Sequence, residues 1–121
     1  MLKILLVDDD VGILEAIKAE LEESGRHKVY TAVSGYEAIK SLGDISVDLI
    51  ITDWKMPDGD GKWVLSQLEA RNESIPVIVF TGCDELSEHP KSFGGVIGVI
   101  KKGEANLSRE IGSLFKKKHE T

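Results

Sequence analysis

Cysteine is almost missing from this chain: Cys83 stands alone among 121 residues. That excludes an internal disulfide framework and a zinc site built from cysteines only. Long apolar runs are missing too. Apolar runs such as residues 4–7 and 96–100 fall far short of the ~20 residues needed to cross a bilayer. There is no leader pattern, because residues 1–7 carry one lysine and run straight into three aspartates. Positive charge is scarce, with 15 Lys and Arg against 21 Asp and Glu and a formal net charge of -6, which argues against nonspecific nucleic-acid binding. No linker, repeat or low-complexity stretch interrupts the sequence. What is left is one compact, soluble domain over residues 1–121, expected in the cytoplasm.

Aliphatic residues are plentiful, chiefly Leu, Ile and Val, enough for a real core and well clear of a disordered composition. The acids are unevenly placed. In residues 1–60 they outnumber the bases by roughly two to one, whereas residues 61–121 are close to balance. Such a cluster is either a solvated face or a set of carboxylates gathered around a cation.

Residues 2–7 are nearly all apolar, as in a strand buried on both faces. Asp10 is placed to cap a helix in which Ile13, Leu14, Ile17 and Leu21 recur at helical spacing, with Gly25 to end it. A short strand is expected at 29–31. Ser34 and Glu37 form a capping box for a second helix closing near Gly43. Residues 47–52 are a third strand, 56–61 a turn cluster, and 63–70 a helix with Val64, Leu65 and Leu68 inward. Strands follow at 76–80 and 96–100, then a helix whose inner face is Leu107, Ile111, Leu114 and Phe115, ending in the basic residues 116–118. Alternating strands and helices of this kind predict an α/β fold: a doubly wound, five-stranded parallel sheet, flavodoxin-like (βα)5, with strand order 2-1-3-4-5. Residues 83–93 should hold the fourth helix, but Pro90 and a single large aliphatic, Leu86, predict a short or irregular one.

Ligands of such sheets bind beyond the carboxyl ends of the strands. Those ends carry Asp8 and Asp9, Asp53, Thr81, and Lys101 or Lys102. Each has an ordinary explanation alone, as a cap, a solvated strand end or an exposed lysine, and for Asp10 the cap is the better one. Together they put three carboxylates on one rim, where mutual repulsion asks for a cation. A hard, oxygen-seeking ion such as Mg²⁺ fits, with open positions for phosphoryl oxygens. The scattered histidines His27, His89 and His119 suggest no metal cluster, Cys83 has nothing nearby to activate it, and Trp54 and Trp63 are expected to pack. The run Asp58-Gly-Asp60-Gly61 lacks the ligand spacing and closing Glu of a calcium loop.

Val7-Asp8-Asp9, the stretch Asp53-Trp-Lys-Met56-Pro57-Asp-Gly-Asp60-Gly61, Phe80-Thr81-Gly82 and the lysine pair before Gly103 resemble the receiver domain of bacterial response regulators, over essentially the whole chain. The resemblance implies Asp53 as a phosphoacceptor attacking a phosphohistidine phosphorus. It implies Asp8, Asp9, Asp53 and the backbone carbonyl of Lys55 as the Mg²⁺ ligands, and Thr81 and a strand-5 lysine as partners of the phosphoryl group. The family pattern Gly-aromatic-aliphatic-x-Lys-Pro fits Lys102 best, with Lys101 as the alternative. In that register Val99 replaces the usual aromatic and Gly103 the usual proline. The implied partners are a sensor histidine kinase or phosphotransfer protein and a downstream effector protein or output domain. A weak homodimer stays open, and no direct nucleic-acid or membrane partner is implied. The chain would then be no conventional enzyme, performing only its own phosphorylation and dephosphorylation. One alternative is a phosphorylation-independent interaction module on the same fold. Another is an aspartyl-phosphate hydrolase, but that class wants an acid where Lys55 stands. A nucleotide-binding domain is disfavoured because no Gly-rich loop follows the first strand.

Overall fold

The computed structural model describes residues 1–82, 93–103 and 107–119. In chain order the elements are β1 (Leu2–Val7), α1 (Val11–Glu22), β2 (His27–Ala32), α2 (Gly35–Ser41), β3 (Leu49–Thr52), α3 (Gly61–Ala70), β4 (Val77–Thr81), β5 (Val96–Lys101) and α4 (Leu107–His119). The five strands form one parallel sheet in the order β2-β1-β3-β4-β5, as the alternation of apolar runs and helical periods predicts. The short helix expected around Pro90, Cys83 and His89 fall outside the described residues, as do the side chains of Leu114, Phe115 and His119.

Side chains of a strand alternate between faces, so the central strands feed two cores. Ile4, Leu6, Leu49, Ile51, Ile78 and Phe80 join Leu14 and Leu21 of α1 and Leu107 and Ile111 of α4 on one side. Leu5, Val7, Ile50, Val77 and Val79 point the other way and join Ala38 and Ile39 of α2 and Val64, Leu65 and Leu68 of α3. A strand covered on both faces has no polar phase, which is why β1, β3 and β4 are nearly all apolar.

Where the elements differ from expectation, the cause is local. β2 extends beyond residues 29–31 because it pairs with β1 along its whole length, from Leu2↔His27 to Val7↔Ala32. It is an edge strand in which only Val29 and Ala32 are buried, so an apolar run understates it. β3 starts at Leu49, because Asp48 clips the strand entry to Lys3, accepting its N–H at 2.8 Å and donating to its carbonyl at 2.7 Å. α3 begins two residues early because the Asp60 carboxylate caps it, accepting the Trp63 N–H at 2.8 Å. The caps at Asp10 and Ser34 form as expected, accepting from Ile13 at 3.2 Å and Glu37 at 3.1 Å.

One close approach ties α2 to the loop after β3. The Gly35 and Tyr36 N–H groups donate to the carbonyls of Gly59 and Asp58 at 2.9 and 3.0 Å. A Cβ on Gly35 would overlap the Gly59 carbonyl, so only glycine permits this backbone contact. Gly35→Ala is expected to lower unfolding free energy by about 1–3 kcal/mol, read from urea denaturation midpoints.

His27, at the start of β2, has a buried Nδ1 without a hydrogen-bond partner among the described residues. Burial, then the charges of Arg26 and the N-terminal amine, lower its pKa below the ordinary 6.5. The native state therefore binds its proton less readily than the unfolded chain. This contribution to stability is complete above the unfolded value and is lost as pH falls through the lowered native value. Urea midpoints should drop below about pH 6.5, and His27→Gln should flatten that part of the profile; an unchanged slope would remove His27 from the account.

Candidate functional site

The backbone ladder continues one residue past several strands, and those residues carry the charged groups. Asp8 N–H donates to Ala32 at 3.1 Å, Asp53 N–H to Val7 at 2.9 Å and Lys102 N–H to Thr81 at 2.9 Å. Parallel pairing thus fixes the Cα positions of the cluster before any side chain acts.

Lys102 joins the two acids. Its Nζ donates to Asp8 Oδ2 at 2.6 Å and to Asp53 Oδ2 at 2.9 Å. The second oxygens are also held: Asp8 Oδ1 accepts the Asp10 N–H at 2.9 Å, and Asp53 Oδ1 accepts the Trp54 N–H at 2.7 Å. Asp8 is 2% exposed, so its charge stands on these contacts. Burial pulls the Lys102 pKa down, but the hydrogen bonds and charges of Asp8 and Asp53 outweigh it and raise the pKa above the ordinary lysine value. The ammonium also lies 5.8 Å from the Phe80 ring centroid.

Carboxylate oxygens of Asp8, Asp9 and Asp53 all lie within 4.8 Å of one another. Against these three charges the cluster sets one ammonium, which leaves two negative charges over. An all-oxygen donor set with that excess suits a hard divalent cation. Asp9 is exposed and Asp53 half-buried, so the acids grade from the core to solvent. Lys55 is exposed in the loop two residues past Asp53.

Thr81 is buried at the end of β4, on the strand between those bearing Asp53 and Lys102. Lys101 pairs with Thr81 in the ladder and is exposed; Lys102 is the lysine at the carboxylates. Asp10 turns its side chain to the α1 cap. Trp54 is buried against the α2–α3 core and meets the Phe93 ring at 5.5 Å and 52°. Trp63 packs on the same core. Asp60 is engaged as the α3 cap, which gives the Asp58–Asp60 run a structural job. Val99 lies partly buried on the α2–α3 side. Gly103 has φ +84°, a conformation closed to proline, whose ring holds φ near about −65°. Thr52 was not a sequence candidate. It is fully buried and its hydroxyl donates to the Asp53 carbonyl at 2.8 Å; a lone hydroxyl ending an apolar strand was the available signal.

A doubly wound parallel sheet with an acid cluster and a lysine at its carboxyl rim defines the class: an α/β domain whose charged residues gather at the end of the sheet where such folds bind ligands. The chain belongs to the response regulator receiver domain family, whose family model matches residues 4–106. Receiver domains are signalling domains of two-component systems and not conventional enzymes. The chain is 34% identical over 103 residues to the chemotaxis protein CheY of Listeria monocytogenes, covering 85% of this chain and 81% of that one. The receiver domain of the Francisella response regulator 1452 superposes with a TM-score of 0.83 at 29% identity, covering 98% of this chain and 99% of that one. Response regulator protein TrrA from Thermotoga maritima, solved in complex with Mg(2+)-BeF, gives 0.81 at 28% identity over 94% of this chain and 99% of that one. Among the described residues no helix is long and apolar enough to cross a membrane.

Proposed function

We propose that Asp53 accepts a phosphoryl group from the phosphohistidine of a sensor histidine kinase or phosphotransfer protein. The phosphorylated chain then favours a state read by a downstream effector protein or output domain. The carrying observation is the seating of Asp53: one oxygen on the Lys102 ammonium and the other on a backbone N–H. That fixes the carboxylate at the carboxyl rim of the sheet.

In the transfer, an Asp53 oxygen bonds to phosphorus while the P–N bond to the imidazole breaks, its electron pair leaving on the nitrogen. Lys102, kept protonated by its two acids, shifts its charge towards the incoming phosphoryl oxygens. Thr81, ending the strand between them, offers a hydroxyl for a phosphoryl oxygen. Water attack on phosphorus later releases inorganic phosphate and restores the carboxylate. Asp8, Asp9, Asp53 and the Lys55 carbonyl would hold Mg²⁺. When bound, that ion neutralises charge on the transferring group. The Mg(2+)-BeF complex of TrrA supports this reading. Residues 1–121 act as a single receiver domain, and the cytoplasm is its proposed compartment.

Incubation with Mg²⁺ and acetyl phosphate, followed by intact mass, is expected to show one acid-labile phosphoryl group. Asp53→Asn should abolish it while leaving the fold intact, since the change is nearly isosteric. Equal labelling of the variant overturns the assignment, and absence of label on the wild type would favour the phosphorylation-independent module.

The two acids beside Asp8 should separate cleanly. Asp10→Ala removes the α1 cap and is expected to cost about 1 kcal/mol of stability with little change in Mg²⁺ affinity. Asp9→Ala should leave stability nearly unchanged and weaken Mg²⁺ binding, followed through Trp54 fluorescence. The reverse pattern would reassign the cluster.

A further inference from the structure

β5 does not pair regularly with β4. Val77 faces Val96, but the next residue of β4, Ile78, faces Gly98, and the pairs Val79↔Val99, Phe80↔Ile100 and Thr81↔Lys101 follow from there. Ile97 is therefore an extra residue, a bulge in a parallel ladder, where bulges are rare. Packing gives the same answer independently. Val96 and Val99 both lie on the α2–α3 core, while Ile97 and Ile100 both lie on the α1–α4 core. Residues three apart cannot share a face of a regular strand, because the side-chain period is two.

The register at the far end of β5 depends on whether this one residue is bulged out or paired. Counting regularly from Val77↔Val96 would set Ile100 opposite Thr81 and carry Lys101 one step further, to the place Lys102 now holds. With the bulge, Lys101 stands opposite Thr81 and is exposed, and Lys102 takes the next place, 2.6 Å from Asp8 and 2.9 Å from Asp53. A slip of one residue flips every side chain beyond it, so two adjacent lysines are the two answers to one register question.

We infer that Ile97 is an absorbed residue: β5 from Gly98 to Lys102 keeps its own register against β4, and bulging at Ile97, not a slip of the strand, takes up the extra residue and leaves Lys102 rather than Lys101 at the carboxylates. The role of that lysine rests on the phosphoacceptor reading; its placement does not. The regular ladder that competes with the bulge would seat Gly98 opposite Val79, emptying the place Val99 fills on the α2–α3 core. It would also put Val99 where Ile100 is buried opposite Phe80. The bulge lets β5 fill both cores and still deliver an ammonium.

The consequence runs against the usual effect of a deletion inside a strand. Removing Ile97 regularises the ladder and leaves Gly98, Val99, Ile100 and Lys102 with the partners they have now. The test compares the full chain with a chain lacking Ile97. Cross-strand nuclear Overhauser contacts for Val77–Val96 and Phe80–Ile100 are expected in both. Acylation of lysines by an amine-reactive ester, mapped by mass spectrometry, should find Lys102 several-fold slower than Lys101 in both. In the labelling assay, the deleted chain should take phosphate in a manner lost with Lys102→Ala and kept with Lys101→Ala. The inference is overturned if either strand contact moves to a neighbouring residue, or if Lys102 becomes as reactive as Lys101. It is equally overturned if the deleted chain fails to fold, because the deletion leaves a regular ladder. A wild type that takes no label defeats the phosphoacceptor reading alone, since the contacts and lysine reactivities still decide the register.

Discussion

The contact on which the site depends is the bridge from Lys102 to Asp8 and Asp53. Asp8 is sealed against the sheet, and a carboxylate so placed is strongly disfavoured unless it is paired. The lysine supplies that pairing from β5, at the opposite flank of the β1-β3-β4-β5 row. One ammonium thus ties the ends of β1, β3 and β5 together across β4. It also leaves the cluster short of positive charge, with Asp9 at its solvent side. The same bridge that pairs the buried carboxylate leaves the excess of negative charge at the solvent side of the cluster.

Around that bridge the backbone does the placing. The residues bearing Asp8, Asp53 and Lys102 continue the sheet's hydrogen bonding past the strand ends. The loop after Asp53 is fastened by Thr52 at its base, by the buried Trp54, by Asp60 at its exit and by the first N–H groups of α2. The acidic look of residues 58–60 therefore reflects a loop built around a tight contact with Gly35 and a helix cap. The loop after Asp53 is fastened where it meets the core and open where it meets solvent, an arrangement that accords with the proposed phosphoacceptor role.

Much of this was legible beforehand because buried parallel strands leave a plain trace. β1, β3 and β4 are apolar on both faces, their carboxyl ends are easily located, and the acids fall there. Asp10 and Ser34 read as caps because a side-chain oxygen precedes a helical period. The harder parts were those where a residue's surroundings, and not its type, decide. β2 pairs along polar residues that an apolar count passes over. Asp60 caps a helix from within a run that also looks like loop. Thr52 acts on the Asp53 carbonyl from inside an apolar strand. Lys101 and Lys102 are identical in kind; the family pattern favours Lys102, and the register of β5 puts it at the carboxylates. A bulge leaves no mark in composition or periodicity over so short a strand.

The bulge has a bearing on how the molecule behaves in a crowd of its own kind. β5 is an outer strand, and its core, Val96 to Ile100, is apolar and β-branched, the composition that recruits strands from other chains into a growing sheet. A straight edge of that kind is a template. An edge with one residue out of step twists locally and breaks the even row of outward amides and carbonyls. The irregularity that goes with an inward-facing ammonium also denies an added strand a straight edge to extend.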